Sequence, residues 1–308
     1  MTMKVVSIDI KNISVIGLGT IGRGIALLCA EADLNVNVYD KSDLIMNKGF
    51  ENIKLRLNNI KVVKTLEEAC RNVDLIIECI DENIELKQAI FKELDELCSL
   101  NVILASCTSG LLPTVISKNT KHQERVVVAH FWNPPGLIPL VEVVPGERTS
   151  KDTIFRTTEW IEYIGNKAII MKKECPGFIG NRLQHALLRE ALYIVEQGFA
   201  EPFEVDKVIE FGLGRRLPVT GPICSADFAG LDVVNSISQY LYKDLCNSIE
   251  PSDLMEKKVQ SGELGSKSGK GFYNWDPEIL KQKQKERAEI LLYFLERDNK
   301  KKDVYYRD

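Results

Sequence analysis

Short apolar runs alternate with amphipathic stretches along the first half of the chain. The runs with the length and composition of β-strands are residues 13–16, 36–39, 73–80, 102–105, 126–130, 140–144 and 167–171. Between two of them, residues 84–97 place apolar side chains at helical spacing and charges on the opposite face. Strands that alternate with helices predict an α/β domain with a mostly parallel sheet.

The pattern changes after a Pro-Gly pair at residues 176–177. Helical periodicity then covers three stretches, 178–197, 204–211 and 231–246. We therefore predict three segments: an α/β domain over 1–175, an all-α domain over 176–276, and a charged helical extension over 277–308.

Composition limits the classes of function. The chain has 308 residues with a net charge of −4, so about two domains are expected and no basic block points to nucleic acid or a membrane surface. No apolar run reaches the roughly 18 residues of a membrane span, and the N-terminus lacks a signal-peptide pattern. The eight cysteines are scattered without a Cys-x-x-Cys pair. This favours reduced thiols in a cytoplasmic protein over disulfides or a bound metal.

An apolar run leads into the glycine spacing Gly17-x-Gly19-x-x-Gly22. Gly17 permits a tight turn, Gly19 lets the backbone approach a pyrophosphate, and Gly22 allows a helix to pack closely on the strand. The N–H groups at the helix start, which include those of Thr20 and Ile21, face the phosphates. The motif predicts a dinucleotide site in a Rossmann-type α/β domain.

An acidic residue ends the next predicted strand. Asp40 stands eighteen residues after Gly22, where a carboxylate binds the ribose 2′-hydroxyl of NAD and repels the 2′-phosphate of NADP. Lys41 and Ser42 follow directly and are able to soften that preference. We expect NAD to be the cofactor.

The chain has three histidines, so few imidazoles are available as a general base. His130 ends an apolar strand at the edge where open α/β sheets bind ligands. Glu142 lies inside another apolar strand, and because a buried carboxylate needs a partner, His130 is the economical choice. His122 in a charged loop and His185 on a helix are weaker candidates. The residues alone leave open whether His130 is a base or an ordinary core histidine.

Seven motifs occur in order between about residue 13 and residue 275. They are the glycine spacing at 17–22, Glu-Asn at 82–83, Ser-Cys-Thr-Ser at 106–109, His-Phe-Trp-Asn-Pro-Pro at 130–135, Leu-Val-Glu-Val-Val at 140–144, Pro-Gly-Phe-Ile-Gly-Asn-Arg at 176–182 and Gly-Ser-Lys-Ser-Gly-Lys-Gly-Phe-Tyr at 265–273. Together they resemble the L-3-hydroxyacyl-CoA dehydrogenase family, including its 3-hydroxybutyryl-CoA, L-gulonate and L-carnitine dehydrogenase branches. The resemblance implies a Rossmann-type N-terminal domain plus an all-α C-terminal domain.

The resemblance also implies catalytic roles. His130 takes the proton of the 3-hydroxyl group while C3 delivers a hydride to the nicotinamide, and Glu142 orients His130. Ser109 hydrogen-bonds the substrate oxygen. Asn181 contacts the reacting substrate from the start of the second domain.

Further positions match the cofactor contacts of the family. Glu82 and Lys87 match positions that contact NAD, Asn133 follows the catalytic histidine in the usual place, and Ser109 lies at the cofactor as well as at the substrate. The helical second domain of the family forms a dimer interface, so the resemblance implies a homodimer.

Two departures from the family bear on the substrate. Residues 41–66 leave room for one helix, at about 43–58, and a strand at 60–64, where the acyl-CoA enzymes carry a long helical hairpin. This compact segment is similar to the branch that acts on CoA-free 3-hydroxy acids, whereas the Gly-Phe-Tyr-Asn-Trp ending at residue 275 is similar to the 3-hydroxybutyryl-CoA enzymes. Cys107 replaces the usual asparagine before Thr108, at a contact near the nicotinamide.

The sequence is therefore compatible with three functions. The first is NAD-dependent oxidation of an L-3-hydroxyacyl-CoA to the 3-ketoacyl-CoA in fatty acid metabolism, and the second is oxidation of a small CoA-free 3-hydroxy acid of the gulonate or carnitine type. The third is a non-catalytic NAD-binding protein, which the complete set of catalytic positions disfavours.

Overall fold

Strands and helices alternate through the first half of the chain in the computed structural model, which describes residues 8–42 and 58–300. The strands in these ranges are β1 (Asn12–Ile16), β2 (Asn35–Tyr39), β3 (Ile60–Val62), β4 (Leu75–Glu78), β5 (Ile103–Ser106), β6 (Val126–Phe131), β7 (Leu140–Pro145) and β8 (Lys167–Ile170). The α-helices between them are α1 (Thr20–Glu31), α2 (Leu66–Ala69), α3 (Ile84–Leu97), α4 (Pro113–Ile116) and α5 (Lys151–Tyr163). The predicted α/β alternation is confirmed. The helix predicted at about 43–58 lies almost wholly outside the described residues.

The strands form one sheet in the order β3-β2-β1-β4-β5-β6-β7-β8. All neighbouring strands are parallel except β6 and β7, which pair antiparallel. The connection between those two strands is too short for a parallel crossover, which needs a dozen or more residues. Because β2 and β4 flank β1, the strand order reverses beside β1, and open α/β sheets bind ligands at such a point.

Apolar side chains cover both faces of the sheet. In β4, Leu75 and Ile77 belong to the cluster that contains Ile25 of α1, whereas Ile76 belongs to the cluster that contains Phe91 of α3. All of these side chains are fully buried. A strand buried on both faces is a near-continuous apolar run, which is the pattern of residues 73–80.

The chain divides into two compact units. In the described ranges, the first unit holds residues 8–42, 58–181 and 287–300, and the second holds residues 182–286. The predicted boundary after residue 175 stands a few residues before this division. Residues 176–181 group with the sheet because Phe178 is buried in its core and the N–H groups of Ile179 and Gly180 bind Glu142.

Helices make up the second unit and its borders. They are α6 (Gly180–Glu196), α7 (Pro202–Val208), a π-helical turn (Ile209–Leu213), α8 (Gly214–Arg216), α9 (Pro222–Ala229), α10 (Leu231–Leu241), α11 (Asp253–Gln260) and α12 (Pro277–Lys300). Among the described helices, none combines the length and the apolar character that a membrane crossing requires.

The second unit has little interior. Gly271 is the one residue of 182–286 that is buried. Large apolar side chains are instead exposed, as with Ile223 (81%), Phe228 (79%) and Phe211 (66%). The chain by itself therefore leaves the apolar faces of these helices uncovered.

Candidate active site

The turn after β1 has no space for a side chain at two of its three glycines. Gly17 has φ +92°, and a Cβ atom there would lie 2.6 Å from the carbonyl oxygen of Cys79. A Cβ at Gly22 would collide with the Gly17 carbonyl oxygen. At Gly19, by contrast, a Cβ would meet nothing within 4 Å. The turn is closed toward the sheet and open on its outer side, as a pyrophosphate cradle has to be.

Helix α1 begins at Thr20, directly at the open side of this turn. Its first N–H groups, including that of Ile21, have no acceptor within the helix and carry the positive end of the helix dipole. Asp40 stands beside the turn, where its carboxylate accepts hydrogen bonds from the N–H of Leu18 at 2.8 Å and of Ser42 at 2.9 Å. Phosphate donors and a ribose acceptor therefore lie together, which fits NAD.

His130 and Glu142 form a buried pair across β6 and β7. The two residues are directly opposite in the antiparallel register, and Nδ1 of His130 lies 2.8 Å from Oε2 of Glu142. Their side chains are 6% and 2% exposed. Because Nδ1 is engaged with the carboxylate, Nε2 is the nitrogen available to a substrate.

Three further donors hold Glu142. Oε2 accepts a hydrogen bond from the Trp132 indole at 3.3 Å, and Oε1 accepts from the N–H groups of Ile179 and Gly180, each at 2.9 Å. Burial alone would raise the pKa of Glu142, but the hydrogen bonds from His130, Gly180 and Trp132 outweigh it and leave that pKa below the ordinary value of 4.5. The carboxylate is therefore ionised at neutral pH.

Aromatic rings enclose the imidazole. The rings of Trp132 and Phe178 have their centroids 5.9 and 5.5 Å from that of His130. A Cβ at Gly180 would collide with the Trp132 ring, so this position requires glycine. The sequence did not predict a role for Trp132, Phe178 or Gly180. These residues lie in the same two motifs as His130 and Asn181, and that shared position could have indicated their role.

Ser109 and Asn181 lie together in the first unit. The side-chain amide of Asn181 donates to the Ser109 carbonyl at 2.6 Å, although 72 residues separate them. Ser109 follows β5, whose carboxyl end stands next to that of β6 in a parallel pair, so Ser109 and His130 lie at the same sheet edge.

The predicted cofactor contacts Lys87 and Glu82 belong to a charged network. Lys87 is 1% exposed, and its Nζ lies 2.6 Å from Glu78 Oε1 and 3.6 Å from Glu82 Oε2. Glu78 is fully buried and also accepts hydrogen bonds from Ser106 Oγ at 2.7 Å and from the Ile80 N–H at 2.7 Å. Glu78 was not predicted from the sequence. It could have been found in the same way as Glu142, because it is a carboxylate within an apolar strand.

Glu82 connects this network to the loop after β5. Its Oε1 accepts hydrogen bonds from the Thr108 hydroxyl and from the Ser109 N–H. The loops that follow β4 and β5 are thus joined by hydrogen bonds to the Glu82 carboxylate, beside the point where the strand order reverses. These hydrogen bonds hold the two loops in one arrangement.

Asn133 is exposed in the loop between β6 and β7, just before a cis bond to Pro134. The same loop reaches helix α1, because a Cβ at Gly24 would lie 2.8 Å from the Pro135 side chain. The connection that carries Asn133 is therefore packed on the helix that begins at the glycine turn.

A dinucleotide-type turn and a buried His–Glu pair at one edge of the sheet fit an NAD-dependent oxidoreductase. The sequence comparisons make the class specific. The NAD-binding domain of 3-hydroxyacyl-CoA dehydrogenase matches residues 12–60 and 51–175, and the C-terminal domain of 3-hydroxyacyl-CoA dehydrogenase matches residues 177–275. The chain belongs to the 3-hydroxyacyl-CoA dehydrogenase family, and it is an NAD-dependent oxidoreductase that acts on a secondary alcohol.

Two curated relatives cover almost the whole chain. A 5-formyl-3-hydroxy-2-methylpyridine 4-carboxylate 5-dehydrogenase of Mesorhizobium japonicum is 34% identical over 298 residues, which are 92% of this chain and 96% of the relative. A probable 3-hydroxybutyryl-CoA dehydrogenase of Bacillus subtilis is 37% identical over 287 residues, which are 87% of this chain and 98% of the relative.

Two solved structures give a contrast in similarity. The crystal structure of a 5-formyl-3-hydroxy-2-methylpyridine 4-carboxylic acid 5-dehydrogenase, described as an NAD+-dependent dismutase, has a TM-score of 0.88 at 33% identity and covers 93% of this chain and 99% of its own. An (S)-3-hydroxybutyryl-CoA dehydrogenase from Ralstonia eutropha has a TM-score of 0.72 at 31% identity and covers 87% of this chain and 100% of its own.

Proposed function

We propose that the protein oxidises an L-3-hydroxyacyl-CoA to the 3-ketoacyl-CoA with NAD, and that His130 is the general base. The observation that supports this best is the buried hydrogen bond between His130 Nδ1 and Glu142 Oε2 at the sheet edge. Family membership and the NAD-type turn support the same reaction.

Glu142 sets the protonation state of the imidazole. Its ionised carboxylate accepts a hydrogen bond from the Nδ1–H group, which leaves Nε2 unprotonated and able to take the proton of the 3-hydroxyl group. The same carboxylate then stabilises the imidazolium that forms. Bound NAD supplies the acceptor for the hydride that leaves C3.

In this proposal Ser109 hydrogen-bonds the substrate oxygen and Asn181 contacts the reacting substrate. The Asn181 side-chain amide donates to the Ser109 backbone carbonyl, so the two residues lie together next to β5. Asp40, Glu82, Lys87 and the turn from Gly17 to Gly22 hold the cofactor.

His130→Gln tests the base directly. We expect kcat to fall by about two orders of magnitude or more while the affinity for NAD is retained, because the glutamine removes the proton acceptor only. His185→Gln, an exposed histidine of the second unit, is the matched control and should be silent. Retained activity of His130→Gln removes His130 as the base.

A CoA-free 3-hydroxy acid is the second candidate substrate. The TM-score of 0.88 to a pyridine carboxylate dehydrogenase, against 0.72 to a 3-hydroxybutyryl-CoA dehydrogenase, favours it. Steady-state oxidation of NADH with acetoacetyl-CoA beside free acetoacetate separates the candidates. A strong preference for the free acid contradicts the CoA substrate, and the reverse preference supports it.

We further propose a cytoplasmic homodimer through the helical unit. The second unit carries an apolar groove of about 340 Å³, lined by Leu187, Ala191, Ile194, Val205 and Val208. The large apolar side chains of this unit are mostly exposed. A second copy covers this surface, since two-fold dimers are the commonest oligomers.

A charge placed in the groove tests the dimer. Val208→Asp should convert the dimer to monomer in light scattering coupled to size-exclusion chromatography, whereas Val259→Asp, equally in the second unit but outside the groove, should not. A wild-type monomer contradicts the proposal.

A further inference from the structure

We propose that Cys79 and Cys107 are a site of oxidative modification, at which a peroxide or a small disulfide closes a disulfide bond beside the cofactor turn. Neither thiol takes part in the proton transfer or the hydride transfer of the proposed reaction. The proposal stands on the placement of both residues at the carboxyl ends of neighbouring strands.

The sheet register brings the two thiols together. Glu78 of β4 pairs with Ser106 of β5 in parallel, so the next residues are Cys79 and Cys107, and the Cys107 N–H continues the ladder to the Glu78 carbonyl at 2.8 Å. Strands at the ordinary spacing of about 4.8 Å fall within the range of Cα separations that a disulfide spans. Both side chains pack against the same apolar cluster as Leu75, hence on one face of the sheet.

The two cysteines are neighbours on one face of the sheet. A hydrogen bond to the Cys107 side chain, together with burial, raises the pKa of the Cys79 thiol well above its ordinary value. Both cysteines are partly accessible, whereas Cys29 is fully buried and burial raises its pKa to about 12. Because the raised pKa of Cys79 makes that thiol the poorer nucleophile, Cys107 is the thiol that reacts with the oxidant first.

The redox step balances in two stages. The Cys107 sulfur attacks the peroxide, the O–O bond breaks, and Cys107 becomes a sulfenic acid as one water leaves. The Cys79 sulfur then displaces the hydroxyl group as the S–S bond forms and a second water leaves. Two electrons and two protons pass from the thiols to the peroxide; an oxidised glutathione-type disulfide gives the same product and two thiols.

The modification would act on cofactor binding through the backbone. A Cβ at Gly17 would lie 2.6 Å from the Cys79 carbonyl oxygen, so the glycine turn packs directly against the backbone of Cys79. A shift of that backbone therefore moves the turn. Cys107 directly precedes Thr108 and Ser109, which are held by Glu82. A new bond between the strand ends displaces both loops, and NAD bound over them shields the thiols.

A second thiol pair provides the matched control. Cys70 follows α2 and Cys98 follows α3, and a hydrogen bond to the Cys98 side chain raises the pKa of Cys70. Both residues are only 7% exposed and belong to the other apolar cluster, away from the glycine turn. Oxidation at this pair would leave the cofactor turn untouched.

Titration of the full-length protein with hydrogen peroxide, and separately with oxidised glutathione, tests the proposal. We expect intact mass to fall by about 2 Da, peptide mapping to join Cys79 to Cys107, and calorimetric affinity for NAD to drop at least about tenfold. Dithiothreitol should restore the affinity, and NAD added beforehand should slow the reaction. Because binding is the readout, the result does not depend on the substrate.

The variants decide the assignment. In Cys107→Ser and Cys107→Ala, oxidant should not change the NAD affinity relative to that of the same untreated variant, whereas Cys98→Ser should lose affinity on oxidation like the wild type. A cross-link mapped to other cysteines, or a Cys79–Cys107 disulfide that leaves NAD affinity unchanged, overturns the proposal. Equal loss of affinity in a folded Cys107 variant overturns it as well.

Discussion

Replacing Glu142 with glutamine changes one atom of a carboxylate that accepts four hydrogen bonds. Oε2 faces His130 Nδ1 at 2.8 Å and the Trp132 indole at 3.3 Å, and Oε1 faces the N–H groups of Ile179 and Gly180 at 2.9 Å. Glutamine keeps one acceptor oxygen and presents an NH₂ group in place of the other. Every orientation of the amide therefore loses hydrogen bonds.

The two orientations have different costs. With the NH₂ group toward the backbone, it faces two N–H donors, and each unsatisfied donor costs about 1–3 kcal/mol. With the NH₂ group toward His130, both backbone bonds survive and the long Trp132 bond is lost. We expect this second orientation, in which Nδ1 accepts a hydrogen bond from the glutamine NH₂ group and the ring proton lies on Nε2. The imidazole is then a donor at the position where the reaction needs an acceptor.

Glu142→Gln should therefore lower kcat by about 10²–10⁴-fold and the free energy of unfolding by about 1–3 kcal/mol, with NAD affinity within about twofold of wild type. Steady-state NADH kinetics, urea unfolding and calorimetry measure the three quantities. Glu263→Gln, which removes a carboxylate paired with Lys258 and Lys270 in the second unit, is the control. A folded Glu142→Gln enzyme with kcat within about threefold of wild type refutes the tautomer argument.

Other changes probe the rest of the first unit. Asp40→Ala should weaken NAD binding by about 10–100-fold and relax the preference over NADP, measured by calorimetry with both cofactors; an unchanged preference contradicts the ribose contact. Lys87→Met leaves Glu78 buried without its cation and should cost about 3–5 kcal/mol in urea unfolding, part of which Glu78→Leu in the same chain should recover. The lowered pKa of Glu142 stabilises the folded state above the ordinary value of 4.5, and this contribution is lost as the pH falls through the lower folded pKa. Unfolding free energy measured against pH should therefore fall in acid, and less steeply in Glu142→Gln.

Local patterns predicted a large part of this protein. The spacing of apolar residues located the strands that the sheet contains, and the spacing of Gly17, Gly19 and Gly22 located the cofactor turn. The carboxylate inside an apolar run pointed to a buried partner, and His130 is the group that Glu142 meets. Such features are readable because burial and turn geometry constrain residues that lie close together along the chain.

Other features depend on which segments meet, and only the tertiary structure decided them. The antiparallel register of β6 and β7 sets His130 opposite Glu142, and the packing of residues 176–181 on the sheet provides two further donors to that carboxylate. The parallel register of β4 and β5 likewise sets Cys79 beside Cys107. A strand shows its periodicity in its own sequence, but its register depends on contacts with residues far away along the chain.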